Sequence, residues 1–292
     1  MENTPRNILT VDVEEYFHPA EVQAFTQESE WSLHPSRIAG QTETILELLE
    51  RHGVKATFFV LGWVAEHQPR AVRMIRGAGH EIGCHSYAHR LIYALRPEEF
   101  RRDTERAVAA IEDACGVTPI AYRAPNYSIT RDSLWALDIL ASCGFTHDSS
   151  IYPIAHDRYG IPGFDRHAGI LLTPSGPILE VPAATAQLWR RAVTPVGGGA
   201  YLRLLPYCYT SAGIRRINAE GKPACIYFHP WEIDPDQPRL ARSRLARLRT
   251  YTGLGGMPGK LERLLRDFRF SSMQAVYPGP APSRLASAVE VG

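Results

Sequence analysis

Over its first half the chain alternates short apolar runs with segments of helical periodicity. Ile8–Val13 (ILTVDV) is a β-branched run followed at once by acids, which predicts a buried strand ending in a polar loop. Gln41–His52 carries Ile45, Leu48 and Leu49 at helical spacing and stops at Gly53. A strand at Ala56–Leu61, a helix at Ala71–Ala78 and a strand at Glu81–His85 follow. Pro97 then opens a long helix to Cys115, with Gly116 as its stop. Ile120–Arg123 (strand), Arg131–Ser142 (helix) and Phe145–Asp148 (strand) continue the rhythm, and Ile178–Val181 and Ala224–His229 supply later strands. Such alternation predicts an α/β fold with a largely parallel sheet.

The rhythm breaks between Tyr152 and Thr210. This stretch is rich in Gly and Pro and contains Gly197-Gly198-Gly199, so long loops with little helix are expected. They are expected to wall a groove at the strand ends, with Gly197–Tyr207 (GGGAYLRLLPY) as the principal contact: glycines permit close backbone approach, and Tyr201 and Tyr207 offer ring faces for a ligand to pack on. Ala241–Arg249 and Lys260–Phe268 read as basic helices. The run Arg239–Arg249 reads first as a solvated helix face, and contact with an acidic glycan or an anionic membrane is the lesser reading. No repeat or interdomain linker is visible. One domain over residues 1–277 is expected, with 278–292 as a disordered Pro/Ala/Ser-rich tail.

Composition removes whole classes of function. With 32 basic against 31 acidic residues the net charge is +1, which excludes a polybasic nucleic-acid clamp. No apolar run approaches the ~20 residues of a membrane helix. The start, MENTPRNILTVDVEE, lacks the apolar core of a signal peptide, so a cytoplasmic location is expected. The five cysteines are scattered and form no CxxC pair, which indicates neither a disulfide framework nor a cysteine zinc site.

Polar clusters sit where the predicted strands end. Residues two apart on a strand share a face, so Asp12 and Glu14 can enter one pocket while Val11 and Val13 face the packing layer. In His85-Ser86-Tyr87-Ala88-His89 the two histidines can both reach one ion, and an upstream carboxylate would complete a site with open positions. Arg123 can hold a nearby carboxylate ionised. Asp148 can orient a polar neighbour or cap a turn, and His229 emerges from an apolar strand beside Trp231.

In order and placement, these clusters resemble the polysaccharide deacetylase family, the carbohydrate esterase group that shares the NodB homology domain. HSYAH and RAPNYS are the most specific parts. VDVEEYFHP, FFVLGWVAE, DSSIYPI, GGGAYLRLLPY and FHPWEIDPDQPR further resemble the deacetylases associated with exosortase A/PEP-CTERM exopolysaccharide loci. The resemblance implies a distorted (β/α) barrel with long irregular loops and a C-terminal helical extension from about residue 235. It implies removal of N-acetyl groups from amino sugars of a polysaccharide or its precursor.

By the same resemblance, His85 and His89 match the metal histidines, Asp12 the catalytic base and Arg123 the arginine supporting it. His229 matches the general acid, Asp148 the acid that tunes it, and the backbone of Asn126 the oxyanion donor. The widespread pattern has two adjacent aspartates, whereas here Glu14 follows Asp12 after Val13. Glu14 is assigned to the metal, with Glu15 as competitor. One divalent ion is implied, zinc on ligand grounds, with cobalt, nickel or iron also suited. Trp231 and Tyr127 are candidates for stacking on sugar rings, against the commoner fate of burial. The competing functions are hydrolysis of a small non-sugar amide by the same site and an inactive carbohydrate-binding relative.

Overall fold

The computed structural model describes residues 5–189, 192–279 and 289–290. In chain order the strands are β1 (Asn7–Val13), β2 (Thr57–Val60), β3 (Glu81–Cys84), β4 (Ala121–Tyr122), β5 (His147–Asp148), β6 (Gly169–Thr173), β7 (Gly176–Glu180), β8 (Thr185–Trp189), β9 (Ala192–Pro195), β10 (Cys225–Phe228), β11 (Phe270–Ser271) and β12 (Val289–Glu290). The helices are α1 (Ala20–Gln23), α2 (Ile38–Arg51), α3 (Gly62–His67), α4 (Pro69–Gly77), α5 (Pro97–Cys115), α6 (Trp135–Ser142), α7 (Gly199–Leu204), α8 (Tyr207–Ala219), α9 (Arg244–Tyr251), α10 (Met257–Asp267) and α11 (Met273–Val276).

The main sheet runs β10-β1-β2-β3-β4-β5-β7-β6-β12, parallel except for the β6–β7 hairpin. Period-two alternation sorts its side chains. Leu9, Val11, Val13, Phe58, Val60, Ile82, Cys84, Ile226 and Phe228 join the large core beneath the helices. Ile8, Phe59, Ala121, Leu179 and Cys225 form a separate, inner cluster. The sheet therefore curls around its own small core, as a distorted barrel does.

Closure between β7 and β10 is irregular. The Ala184 N–H donates to the Cys225 carbonyl at 3.0 Å, and the Tyr227 N–H donates to the Gly197 carbonyl at 2.7 Å. Gly197 and Gly198 thus bring backbone against β10, while Gly199, Ala200 and Tyr201 line the cavity that also holds His85, on the side the sequence suggested. A Cβ on Gly198 would lie 2.3 Å from the Tyr227 carbonyl oxygen, so only glycine fits this seam. Gly198→Ala should lower stability by about 1–3 kcal/mol, the usual range for overpacking, measurable by denaturant melting.

Residues 152–210 hold more regular structure than the sequence suggested. The β6–β7 and β8–β9 hairpins, α7 and the start of α8 all lie there. Glycines and prolines mark the turns between these short elements rather than one continuous loop. Beyond residue 235 the chain returns to the barrel: β11 pairs with β1, and Met273 is buried in the inner cluster. Most of the expected tail, 280–288 and 291–292, lies outside the described residues.

Candidate active site

The carboxyl ends of β1, β3, β4, β5 and β10 deliver the polar motifs to one end of the barrel. Asp12, Glu14, His85, Asn126 and His229 line one cavity of about 420 Å³. Glu14 Oε1 lies 3.1 Å from His85 Nε2 and 3.0 Å from His89 Nε2. All three are buried, with one ligand atom from each converging. His85 Nδ1 meets the Arg123 carbonyl at 2.7 Å, which fixes the ring with Nε2 toward Glu14. Burial alone would raise the Glu14 carboxyl, but the neighbouring His89, His229 and His85 outweigh it and hold it well below its ordinary value. Two imidazoles and one carboxylate with room beside them suit a divalent ion.

Glu15 points elsewhere. It accepts from the Ser36 hydroxyl and from the backbone N–H groups of Arg37 (3.1 Å) and Ile38 (3.2 Å), where α2 begins. That anion caps a helix N-terminus.

Arg123 is fully buried inside the barrel. Its Nη1 donates to Asp12 Oδ1 at 2.7 Å and to Thr10 Oγ1 at 2.6 Å, while Nη2 donates to Ser149 Oγ at 2.8 Å. The guanidinium carbon stands 4.3 Å from the centre of the Phe59 ring. One carboxylate oxygen of Asp12 is thereby held, and the other, Oδ2, lies 3.9 Å from His229 Nε2.

The carboxylate on His229 is not Asp148. Asp148 accepts from Ser150 Oγ at 2.6 Å and pairs with the buried Glu180. It braces the loop whose Ser149 holds Arg123, because the β5 register turns it away from β10. Glu232 stands beside His229 instead, with Oε2 2.9 Å from Nδ1 and Oε1 accepting from Arg203 Nε at 3.0 Å. Burial pulls the His229 pKa down, but Glu14, Glu232 and Asp12 together outweigh it and raise it to about 9. A sequence signal for Glu232 existed. His-Pro-Trp-Glu is a capping-box pattern in which the fourth residue folds back on the first.

Four non-glycine residues have positive φ among the described residues: Ser86, His89, Asn126 and Tyr127. All sit in the loops after β3 and β4, two of those that build the site, where such strain is characteristic of functional positions. Asn126 lines the cavity at φ 51°.

The aromatic candidates are mostly buried. Trp231 stacks on His229 with ring centres 5.1 Å apart, and Tyr127 packs between Tyr152 and Tyr227. Both touch the cavity only at its wall. Tyr201 lines it too, whereas the Tyr207 hydroxyl donates to Asp267 at 2.8 Å, away from the opening.

Residues 30–147 match the family described as "Polysaccharide deacetylase", and residues 149–278 match one described as "Domain of unknown function (DUF3473)". A peptidoglycan-N-acetylglucosamine deacetylase of Bacillus cereus is 36% identical over 98 residues, 33% of this chain and 36% of the relative. A chitooligosaccharide deacetylase of Bradyrhizobium sp. is 31% identical over 138 residues, 47% of this chain and 60% of the relative. The chain thus spans between about a third and three fifths of the lengths of these relatives. Among solved structures, a Mycobacterium smegmatis protein of the polysaccharide deacetylase type superposes with TM-score 0.67 at 18% identity, covering 97% of this chain and 93% of that one. A family 4 carbohydrate esterase from Streptomyces lividans gives 0.51 at 18%, covering 98% of each. These two likenesses establish the fold.

Proposed function

From a chain whose family match and curated relatives support the polysaccharide deacetylase family, we propose a metal-dependent hydrolase that removes N-acetyl groups from an amino sugar. The observation carrying this reading is that Asp12 and His229 face each other beside the Glu14–His85–His89 cluster. The relatives' names point to N-acetylated saccharides, and the resemblance of several sequence stretches to exosortase-associated deacetylases favours an exopolysaccharide or its precursor.

Glu14, His85 and His89 would hold the ion, with zinc, cobalt, nickel and iron all compatible with this donor set. A divalent ion bound there supplies electrophilic activation of water and of the amide carbonyl. Asp12 Oδ2, left free because Arg123 holds Oδ1, accepts the proton from the attacking water. His229 keeps Nδ1 on Glu232 and presents a protonated Nε2 to the cavity, from which the leaving amine takes its proton. The backbone N–H of Asn126 stabilises the developing oxyanion.

The decisive assay is acetate release from N-acetylglucosamine oligomers, abolished by a chelator and restored by a divalent ion. Release from small amides but not from sugars, or from neither, would overturn the proposal.

Glu232 is among the groups raising the His229 pKa, so Glu232→Gln should lower it. The alkaline limb of the kcat–pH profile should then move toward lower pH, with turnover reduced. A limb that stays where the unaltered protein has it would remove Glu232 from the acid machinery.

A further inference from the structure

The segment after the active-site turn has an unusual charge pattern. Between Asp236 and Glu262 there is no acidic residue, while Arg239, Arg242, Arg244, Arg247 and Arg249 fall within eleven positions. The first four of these make no ion pair among the described residues; Arg249 only approaches Glu21, at 4.0 Å. Arg239, Arg244 and Arg247 converge with Leu248, Tyr251 and Thr252 around a shallow cavity of about 310 Å³. Among the described residues no acidic side chain lies on its wall; Arg239 only stands over the Tyr251 ring, 5.3 Å from its centre.

Apolar side chains share this face. Ala246, Thr250 and Tyr251 bury one side of α9, while Leu245 and Leu248 stand 56% and 57% exposed on the other. Arginines and leucines thus alternate around the solvent side of one helix. Next to it, Arg249 and Thr250 at the end of α9 line the active-site cavity, as does the exposed Leu204. A solvated helix face needs no leucines, and a purely electrostatic glycan site would not place them outward beside the arginines. A basic rim with protruding apolar side chains is the pattern of interfacial membrane binding.

We propose that α9 and the preceding Arg239–Ser243 segment dock on an anionic bilayer surface, arginines on lipid phosphates and leucines among the acyl-chain roots. The cavity mouth would then lie against the headgroup plane. Among the described residues no helix is long and apolar enough to cross a membrane; the contact proposed here is with the bilayer surface. Resting on the deacetylase reading, this orientation makes a lipid-linked saccharide the natural substrate form.

The test is flotation of the full chain with vesicles, which reads binding without reference to catalysis. Vesicles of phosphatidylcholine with about a third phosphatidylglycerol should carry the protein, and pure phosphatidylcholine should not. Each arginine near such a surface contributes on the order of fivefold to partitioning, so Arg244→Gln with Arg247→Gln should reduce binding on the order of 25-fold. Leu245→Ser with Leu248→Ser should weaken it as well, with melting temperature and acetate release from soluble oligomers unchanged. Equal binding to neutral and anionic vesicles, or none to either, overturns the proposal. So does retention by heparin with no vesicle binding, which would make the face a polyanion site. Vesicle binding without acetate release would count against the deacetylase reading alone.

Discussion

Asp12→Asn is expected to leave divalent-ion binding intact while lowering turnover by about 10²–10⁴-fold, the usual contribution of a positioned general base. His89→Ala should lose bound ion and activity together. The contrast follows from geometry. Asp12 is pinned through Oδ1 by Arg123, and its Oδ2 points toward His229, whereas Glu14 Oε1 is within 3.1 Å of both metal-type histidine nitrogens. Asparagine keeps an oxygen for Arg123 but cannot take up the proton. Metal content measured on the purified variants, beside acetate release, separates the two roles. Retention of full ion affinity by Glu14→Gln, with loss in Glu15→Gln, would reverse the ligand assignment.

Arg123→Met should be the most destabilising single change in the site, by about 3–5 kcal/mol. The substitution leaves the buried Asp12 carboxylate without its cation and strips donors from Thr10 and Ser149. Burial without compensation is what makes the loss large. Adding Asp12→Leu to Arg123→Met should therefore recover much of the stability, since the uncompensated charge goes with it, while turnover stays absent. Urea melts of the two single variants and the double variant measure the coupling. Strict additivity of the single effects would mean that the pair is not an energetic unit. Arg123→Lys should not substitute, because one ammonium cannot serve Asp12, Thr10 and Ser149 in three directions.

Where local pattern controls structure, the sequence was informative. The strands at the start of the chain, the long helix from Pro97 and the strand before His229 lie where period and punctuation put them, within a few residues. Alternation along β1 sends Val11 and Val13 to the helices and Asp12 and Glu14 to the opposite face, as the period of two requires. Residues 152–210 were harder. Their short strands carry weak periodicity, and the glycine triplet looks the same in sequence whether it meets the site, a neighbouring strand or, as here, both.

What the sequence determined by itself is the α/β alternation, the residue types of the site, and the spacings that put Asp12 and Glu14 on one face and His85 and His89 in one turn. These depend on neighbours within one strand or turn. Tertiary structure decided the rest. It turned Glu15 into the cap of α2, paired Asp148 with Glu180, and set Glu232 with Arg203 behind His229. It also placed an arginine-rich helix at the cavity mouth. The physical reason is range. A backbone period fixes which face a side chain leaves from, but its partner is chosen by sheet order and closure. Those join residues such as Asp12, Arg123 and His229, far apart along the chain.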